Sequence, residues 1–270
     1  RSLPVEKTGP FIDGVVAAKG TLVSVAREGK PHDGWTPYRL KAERGDWKLE
    51  LATADGLITG LLIADWKSDP PIAKSTLAMR LPFKGDWFVG QGGPTKATNH
   101  HVEDPSQRRA ADLVRVDASG QSHKGDGRAN ADYYAYGAEI LAVADGTVVT
   151  AIDGVPENDP PHKNPYSGIG NAIVLAHDGG VWSAYAHLVP GSLRVRPGAH
   201  VKRGDVLGLC GNSGNSTEPH LHFQLQNGPR FEASWGVEAV FPDVRLVRDG
   251  KSENVVSYTF LRGDRIAQPE

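Results

Sequence analysis

The sequence predicts a mainly β protein: an antiparallel β-sheet core preceded by a smaller β-rich N-terminal domain. Three observations lead there. The 32 glycines and 19 prolines are scattered as turn punctuation between short apolar runs, the pattern of many short strands. Several of those runs alternate with period two, as where Trp47, Leu49 and Leu51 interleave with Lys48 and Glu50. No apolar run approaches the roughly 18 residues that a membrane-spanning helix needs, and few long helices are expected. A chain of 270 residues is long enough to bury a substantial core.

Taken in order, the first part offers strands at Ile12–Val16, Thr21–Ala26, Trp47–Thr53 and Leu57–Ile63. It contains no catalytic constellation, and His32 reads as a solvated loop residue. The stretch Ser68-Asp-Pro-Pro-Ile-Ala-Lys74 is the natural linker, because two prolines among polar residues resist both helix and central strand. The expected division is residues 1–75 as the N-terminal domain, 76–245 as the main domain and 246–270 as a C-terminal β extension. Past the linker, Gly92-Gly-Pro-Thr-Lys-Ala-Thr-Asn-His-His101 is loop-like, and Asp112 follows eleven residues later between Ala111 and Leu113. An acidic group in that apolar setting needs a cation or hydrogen bonds to stay ionised. From 116 to 132 the chain is polar and Gly-rich; His123 and Asp132 within it form a second candidate pair, with solvated loop residues as the default reading.

Ile140–Val143 and Thr147–Ile152 read as a hairpin turning at Asp145-Gly146. Residues 155–166 hold four prolines and should be irregular, with His162 exposed. Gly170–His177 and Val181–Leu188 form a second hairpin across Asp178-Gly-Gly180. On its second strand, alternation groups Val181, Ser183, Tyr185 and His187 on one face and Trp182, Ala184, Ala186 and Leu188 on the other. His177 at a strand end and His200 in a turn read as structural or solvated. Phe231–Phe241 and Asn254–Leu261 supply further β-like material.

Bulk properties narrow the partners. A formal net charge of −2 gives no whole-molecule field for nucleic acid, and no nucleic-acid partner is expected. The one cysteine, Cys210, permits no intramolecular disulfide and sits among Leu207, Gly208 and Leu209 as a packed thiol. The first residue is Arg1 rather than Met, so export after removal of a leader is permitted.

The chemistry concentrates in Gly211-Asn-Ser-Gly-Asn-Ser-Thr-Glu-Pro-His-Leu-His-Phe-Gln224. On a strand, residues i and i+2 face the same way, so His220 and His222 can address one site while Leu221 and Phe223 enter a core. That geometry suits a zinc site with a helper base beside a ligand.

The run from Gly170 to Gln224 closely resembles the catalytic core of the lysostaphin-type, or LytM-type, zinc endopeptidases. The matching elements are Gly170-Asn171 with Ile173-Val174, Tyr185-Ala-His187, Val195-x-x-Gly198, Val201-x-x-Gly204-Asp205, Gly211-x-Ser-Gly-x-Ser-Thr217 and Pro219-His-Leu-His-Phe223. Upstream, Gly137-Ala-Glu-Ile-Leu-Ala142 and Ala144-Asp-Gly-Thr-Val148 match the early strands, so the resemblance runs from about Asn99 to Asn227. The family's first motif, a metal-binding His followed four residues later by a metal-binding Asp, is not found here. The chain instead resembles a subgroup with a stretched spacing, represented by Asn99-His-His101 and Ala111-Asp112-Leu113.

The resemblance implies one zinc ion held by His101, Asp112 and His222, with His100 as the competitor for the first position and His123 with Asp132 in reserve. It implies that His187 and His220 are the non-ligand catalytic pair, orienting or deprotonating water, stabilising the oxyanion and protonating the leaving amine. Two neutral imidazoles and a carboxylate leave zinc one open position, where water is acidified and a peptide carbonyl polarised. The implied substrates are cross-bridges or stem peptides of bacterial peptidoglycan, and the implied location is outside the bacterial cytoplasm. Loop 155–166 would wall a gap suited to an extended peptide. The alternatives are a non-hydrolytic binding or regulatory protein on the same fold, which an intact ligand set argues against, a carrier barrel, whose hairpin lysine is absent from Asp145-Gly146, and a purely structural zinc, for which an open three-ligand site is poorly suited.

Overall fold

The computed structural model describes residues 10, 13–14, 16–28, 31, 34–65 and 73–269. The chain divides into two compact units, residues 1–69 and 70–270. His32 and residues 68–72 of the linker lie outside the described residues.

The first unit is a four-stranded antiparallel sheet in sequence order: β1 (Leu22–Arg27), β2 (Trp35–Ala42), β3 (Trp47–Ala54) and β4 (Leu57–Asp65). Strands β1, β3 and β4 fall where apolar runs place them. Strand β2 lacks that signature, since Pro37 argues against a central strand, yet it pairs with both β1 and β3. The strand expected at Ile12–Val16 is not there: Ile12 and Val15 are outside the described residues, and Asp13, Gly14 and Val16–Lys19 are helical.

The second unit contains β5 (Trp87–Gln91), β6 (Ala111–Val114), β7 (Glu139–Leu141), β8 (Gly146–Ile152), β9 (Asn171–His177), β10 (Val181–Leu188), β11 (His200–Val201), β12 (Val206–Leu209), β13 (Leu221–Gln226), β14 (Gly236–Val237), β15 (Val244–Arg248), β16 (Lys251–Val255) and β17 (Arg265–Ala267). Eleven of these form one antiparallel sheet in the order β11-β8-β9-β10-β13-β6-β5-β17-β15-β16, with β14 also on β13. The two strands nearest its middle, β13 and β6, are the ones that carry His222 and Asp112. The expected hairpin of β9 and β10 is present, Val181 pairing with His177.

The hairpin expected around Asp145-Gly146 does not form. Residues 139–141 pair with β12, whereas β8 pairs with β9 and β11. Burial decides this. Ile140, Leu141, Ala142 and Val143 are all fully buried, and their amides bond elsewhere: Leu141 N–H to Pro82 O, Ala142 N–H to Asp205 O and Val143 N–H to the Tyr185 hydroxyl. A run that is apolar on every side is best placed where both faces are buried. The Asp145 carboxylate accepts from the Arg203 amide and the Lys202 ammonium.

The core beneath the large sheet is one cluster that includes Trp87, Leu113, Tyr185, Leu221, Phe223, Leu225 and Phe241. Leu221 and Phe223 enter it as alternation requires, leaving the other face of β13 for polar chemistry. Cys210 is fully buried, and burial pushes its thiol far up in pKa, so it is a packing residue.

Candidate metal centre

Register sets the centre. His222 lies directly opposite Asp112 across the β13–β6 pair and opposite Ala186 across the β13–β10 pair. Because Ala111 and Leu113 flank Asp112 just as Leu221 and Phe223 flank His222, the apolar neighbours enter the core and both polar side chains share the opposite face. Asp112 Oδ1 stands 3.1 Å from His222 Nδ1 and 3.6 Å from His220 Nε2.

His101 reaches the same carboxylate from a one-turn 3-10 helix, His100–Glu103. Asn99 makes that possible. Fully buried, its side chain accepts from the His101 amide (3.1 Å) and donates to Gly93 O (3.2 Å) and Ala110 O (3.1 Å). One amide thus ties the loop to the residue before β6 and returns His101 Nε2 to within 3.0 Å of Asp112 Oδ2. His100 is the weaker competitor: its Nε2 is 4.0 Å from Asp112 Oδ2 and its side chain 63% exposed, against 11% for His101.

His187 departs from the expected alternation. Tyr185, two residues earlier, is in the core, so a regular strand would send His187 there too. The β9–β10 register is interrupted between Tyr185 and Leu188, and His187 adopts φ +65°, the left-handed region. That twist turns its imidazole to the site face, where its ring centroid lies 4.7 Å from that of His220 and 5.9 Å from that of His222. Its Nδ1 donates to Ser213 O (2.8 Å), leaving Nε2 as the lone-pair nitrogen of the neutral ring.

Four imidazoles therefore surround one carboxylate. Burial pushes Asp112 upward in pKa, but the charge of His220 and the polar contacts of His101, His220 and His222 outweigh it and hold the carboxyl well below its ordinary range. Burial, with repulsion from His220 and His222, holds His187 well below the ordinary imidazole value. His220 is also desolvated, yet Asp112 and the Glu218 carbonyl raise it. The two rings of the pair are thus displaced in opposite directions.

The loop before β13 is clasped by the loop before β9. Asn158 Nδ2 lies 2.8 Å from Asn212 O, 2.8 Å from Gly214 O and 2.9 Å from Ser216 O. Glu157 accepts from the Asn212 amide (3.0 Å) and from the Tyr136 hydroxyl (2.6 Å). Gly170 and Gly214, both at positive φ, allow the close approach, since a Cβ on Gly170 would collide with Ser213 and one on Gly214 with Gly170 and Ser167. Residues 155–166 are thus a fastening as well as a wall; Lys163, just inside them, lines the cleft.

The cluster floors a cleft of about 540 Å³ whose walls include Lys163, Ile169, Thr217 and Phe231. A second cleft, about 470 Å³, shares His100, Asp112, Thr217 and His220 with it, so the two adjoin at the centre. The reserve pair lies apart from this cluster. The Asp132 carboxylate accepts from the Ala129 amide, and His123 packs against Tyr133. His177 is structural, bonded to Asp145 O and the Ser183 hydroxyl (both 2.7 Å), while His162 and His200 are exposed. Asn99, Asn158, Gln224 and Gln226 escaped the sequence reading. The last two were signalled, because they continue the i, i+2 polar alternation of His220 and His222.

The donor set fits a metal. Two imidazoles and a carboxylate converge from three separate chain segments, and His100, His101 and Asp112 each offer a ligand atom within 4.8 Å of the others. A carboxylate fenced by imidazoles, with two more imidazoles beside it, is a donor set of the kind metal-dependent hydrolases use.

Residues 130–233 match the family model described as Peptidase family M23. The match includes His187, His220 and His222 and begins after His101 and Asp112. Over 96 residues the chain is 35% identical to the DD-carboxypeptidase/endopeptidase Mpg of Neisseria meningitidis, covering 35% of this chain and 19% of that protein. It is 40% identical over 78 residues to the peptidoglycan DD-endopeptidase ShyA of Vibrio cholerae, covering 29% and 17%. The match thus spans about a fifth of the length of these curated relatives. The catalytic domain of the antimicrobial peptidase lysostaphin from Staphylococcus simulans aligns at a TM-score of 0.34 and 23% identity, covering 57% of this chain and 88% of that one.

Proposed function

We propose that this chain is a zinc-dependent endopeptidase that cleaves peptide bonds in bacterial peptidoglycan, in cross-bridges or stem peptides, outside the cytoplasm. The observation that supports the reading is the contact of His101 and His222 with the two oxygens of one carboxylate, Asp112, with His187 and His220 beside them. The match to the M23 family model and the relatives' naming as peptidoglycan endopeptidases support the substrate class. Among the described residues no helix is long and apolar enough to cross a membrane.

One zinc ion per chain, held by His101, Asp112 and His222, would supply Lewis acidity to a peptide carbonyl and to water. The residues around it divide the proton work. His187, kept neutral by burial and with Nε2 free, is suited to accept a proton from the attacking water. His220, raised by Asp112, is suited to donate a hydrogen bond to the developing oxyanion and then to pass that one proton to the leaving amine. Environments that push paired groups apart in pKa are the usual basis of such an assignment. The two adjoining clefts would let an extended peptide run across the centre.

Metal analysis combined with hydrolysis of cell walls and glycyl peptides tests this on the wild type, His220→Ala and His222→Ala. The expected results are zinc and hydrolysis in the wild type, retained zinc with at least about 100-fold slower hydrolysis in His220→Ala, and lost zinc in His222→Ala. A wild type that binds peptidoglycan peptides without zinc and without hydrolysis would establish the non-hydrolytic reading instead.

A further inference from the structure

Strand β13 continues its polar face beyond the two histidines to Gln224 and Gln226, both fully buried. Buried amides are retained when every polar atom is used, and here each partner dictates the next. Gln226 Nε2 lies 2.7 Å from Gly228 O, a backbone carbonyl that can only accept, so the amide nitrogen is fixed there and Gln226 Oε1 points back along the strand. That oxygen accepts from Gln224 Nε2 at 2.7 Å. Gln224 Nε2 also donates to Ser106 O at 3.1 Å, so two acceptors hold the same nitrogen. Gln224 Oε1 is therefore the atom 3.1 Å from His222 Nε2. An amide oxygen cannot donate, so the hydrogen belongs to His222 Nε2.

The competing arrangement gains a bond to Asp112 but sets acceptor against acceptor among the buried amides. A hydrogen on Nδ1 alone would suit Asp112 Oδ1, 3.1 Å away, but would set the Nε2 lone pair against Gln224 Oε1. Turning Gln224 over to relieve that contact would aim its oxygen at both Ser106 O and Gln226 Oε1. Turning Gln226 as well would aim its oxygen at Gly228 O. The observed orientation satisfies both amides and His222 Nε2, and it turns the His222 Nδ1 lone pair toward Asp112 Oδ1, 3.1 Å away, where two acceptors face each other across a position suited to a cation.

We propose that Gln224 and Gln226 are positioning residues that hold the hydrogen of His222 on Nε2 and so commit this imidazole to bind metal through Nδ1. The inference rests on the reading of His222 as a ligand. It makes the two imidazole ligands unlike, His101 presenting Nε2 to the carboxylate and His222 presenting Nδ1. The difference suits their supports. His101 reaches in from a separate loop, whereas His222 stands on a strand directly beside Asp112, where the ring nitrogen nearer the backbone is the one in range. Partners behind a ligating histidine commonly set its tautomer and orientation, and their loss typically weakens metal binding about 10–100-fold.

The test is two-bond proton–nitrogen NMR of the full chain with ¹⁵N-labelled histidine, zinc-free at alkaline pH and again with zinc, alongside zinc titrations of the wild type, Gln224→Leu and Gln226→Leu. Expected are a protonated Nε2 on wild-type His222 in both states and a zinc dissociation constant raised about 10–100-fold in Gln224→Leu. The effect in Gln226→Leu should be smaller, because Ser106 O still orients Gln224. Zinc-free Gln224→Leu should shift His222 toward the Nδ1–H form that Asp112 favours. A wild-type His222 carrying its hydrogen on Nδ1, or zinc affinity unchanged in a folded Gln224→Leu, would overturn the proposal. The wild-type spectrum decides even if the variants do not fold. Because the zinc-free tautomer is read without hydrolysis, failure of the relay and failure of the peptidase reading are separable.

Discussion

Replacing His187 by glycine should leave the metal-free protein more stable than replacing it by alanine. In a regular strand the order is the reverse, since glycine costs about 0.5–1 kcal/mol relative to alanine through its greater freedom in the unfolded chain. His187 is not regular: it sits on β10 at φ +65°, where a side chain with Cβ is strained by about 1–3 kcal/mol and glycine is not. Both variants lose the same imidazole and the same Nδ1 hydrogen bond to Ser213 O, so these terms cancel in the comparison. The strain relieved, less the entropy cost of glycine, leaves about 1 kcal/mol in favour of His187→Gly. For a unit of about 200 residues that corresponds to about 2–4 °C in melting temperature. Thermal and urea unfolding of the two zinc-free variants, followed on the transition of the second unit, measure it. Alanine as stable as glycine, or more so, would refute the argument that a left-handed residue turns this histidine out of the core.

Asn158→Leu should destabilise the second unit by about 1–3 kcal/mol, because the carbonyls of Asn212, Gly214 and Ser216 lose a shared donor. Denaturant unfolding would show the loss, and hydrolysis should fall with it, since Ser213 in that loop holds His187. Tyr136, raised to about 12 chiefly by burial and further by its bond to Glu157, predicts a pH effect. The unfolded chain releases this proton near the ordinary 10.0, before the folded chain does, so stability is unaffected below that value and declines as pH rises from there toward about 12. Tyr136→Phe should flatten that slope, and unchanged alkaline unfolding in the variant would show that the hydroxyl does not titrate as described. Asn99→Ala should lower zinc affinity without removing any ligand, because His101 loses the amide that returns it to Asp112; equal zinc binding in calorimetry would count against that role.

Strand period made part of the site legible in the residues themselves. His220 and His222 on one face with Leu221 and Phe223 in the core needs only alternation, and the structure has it. The pairing of β9 with β10 was signalled by Asp178-Gly-Gly180 between two apolar strands. Asp112 stood out because a carboxylate between Ala111 and Leu113 needs partners, and the structure supplies imidazoles. The rest was hidden where tertiary context overrides local pattern. Asp145-Gly146 is a good turn sequence, but the fully apolar run before it is worth more where both its faces are buried than in a hairpin. Positive φ at a histidine has no sequence signature, so alternation put His187 on the wrong face. Pro37 masked a strand that its neighbours on both sides enforce. Gln224 and Gln226 could have been found, since polar residues repeating every second position through a strand this apolar imply a buried network.

The central claim is that His101, Asp112 and His222 hold one zinc ion while His187 and His220 stand by without binding it. Anomalous diffraction at the zinc edge from crystals of the zinc-loaded chain tests it most directly. One peak is expected at about 2.0–2.2 Å from His101 Nε2, an Asp112 oxygen and His222 Nδ1, with the rings of His187 and His220 uncoordinated. A peak bound by His100 in place of His101, or one lying at His123 and Asp132, would contradict it.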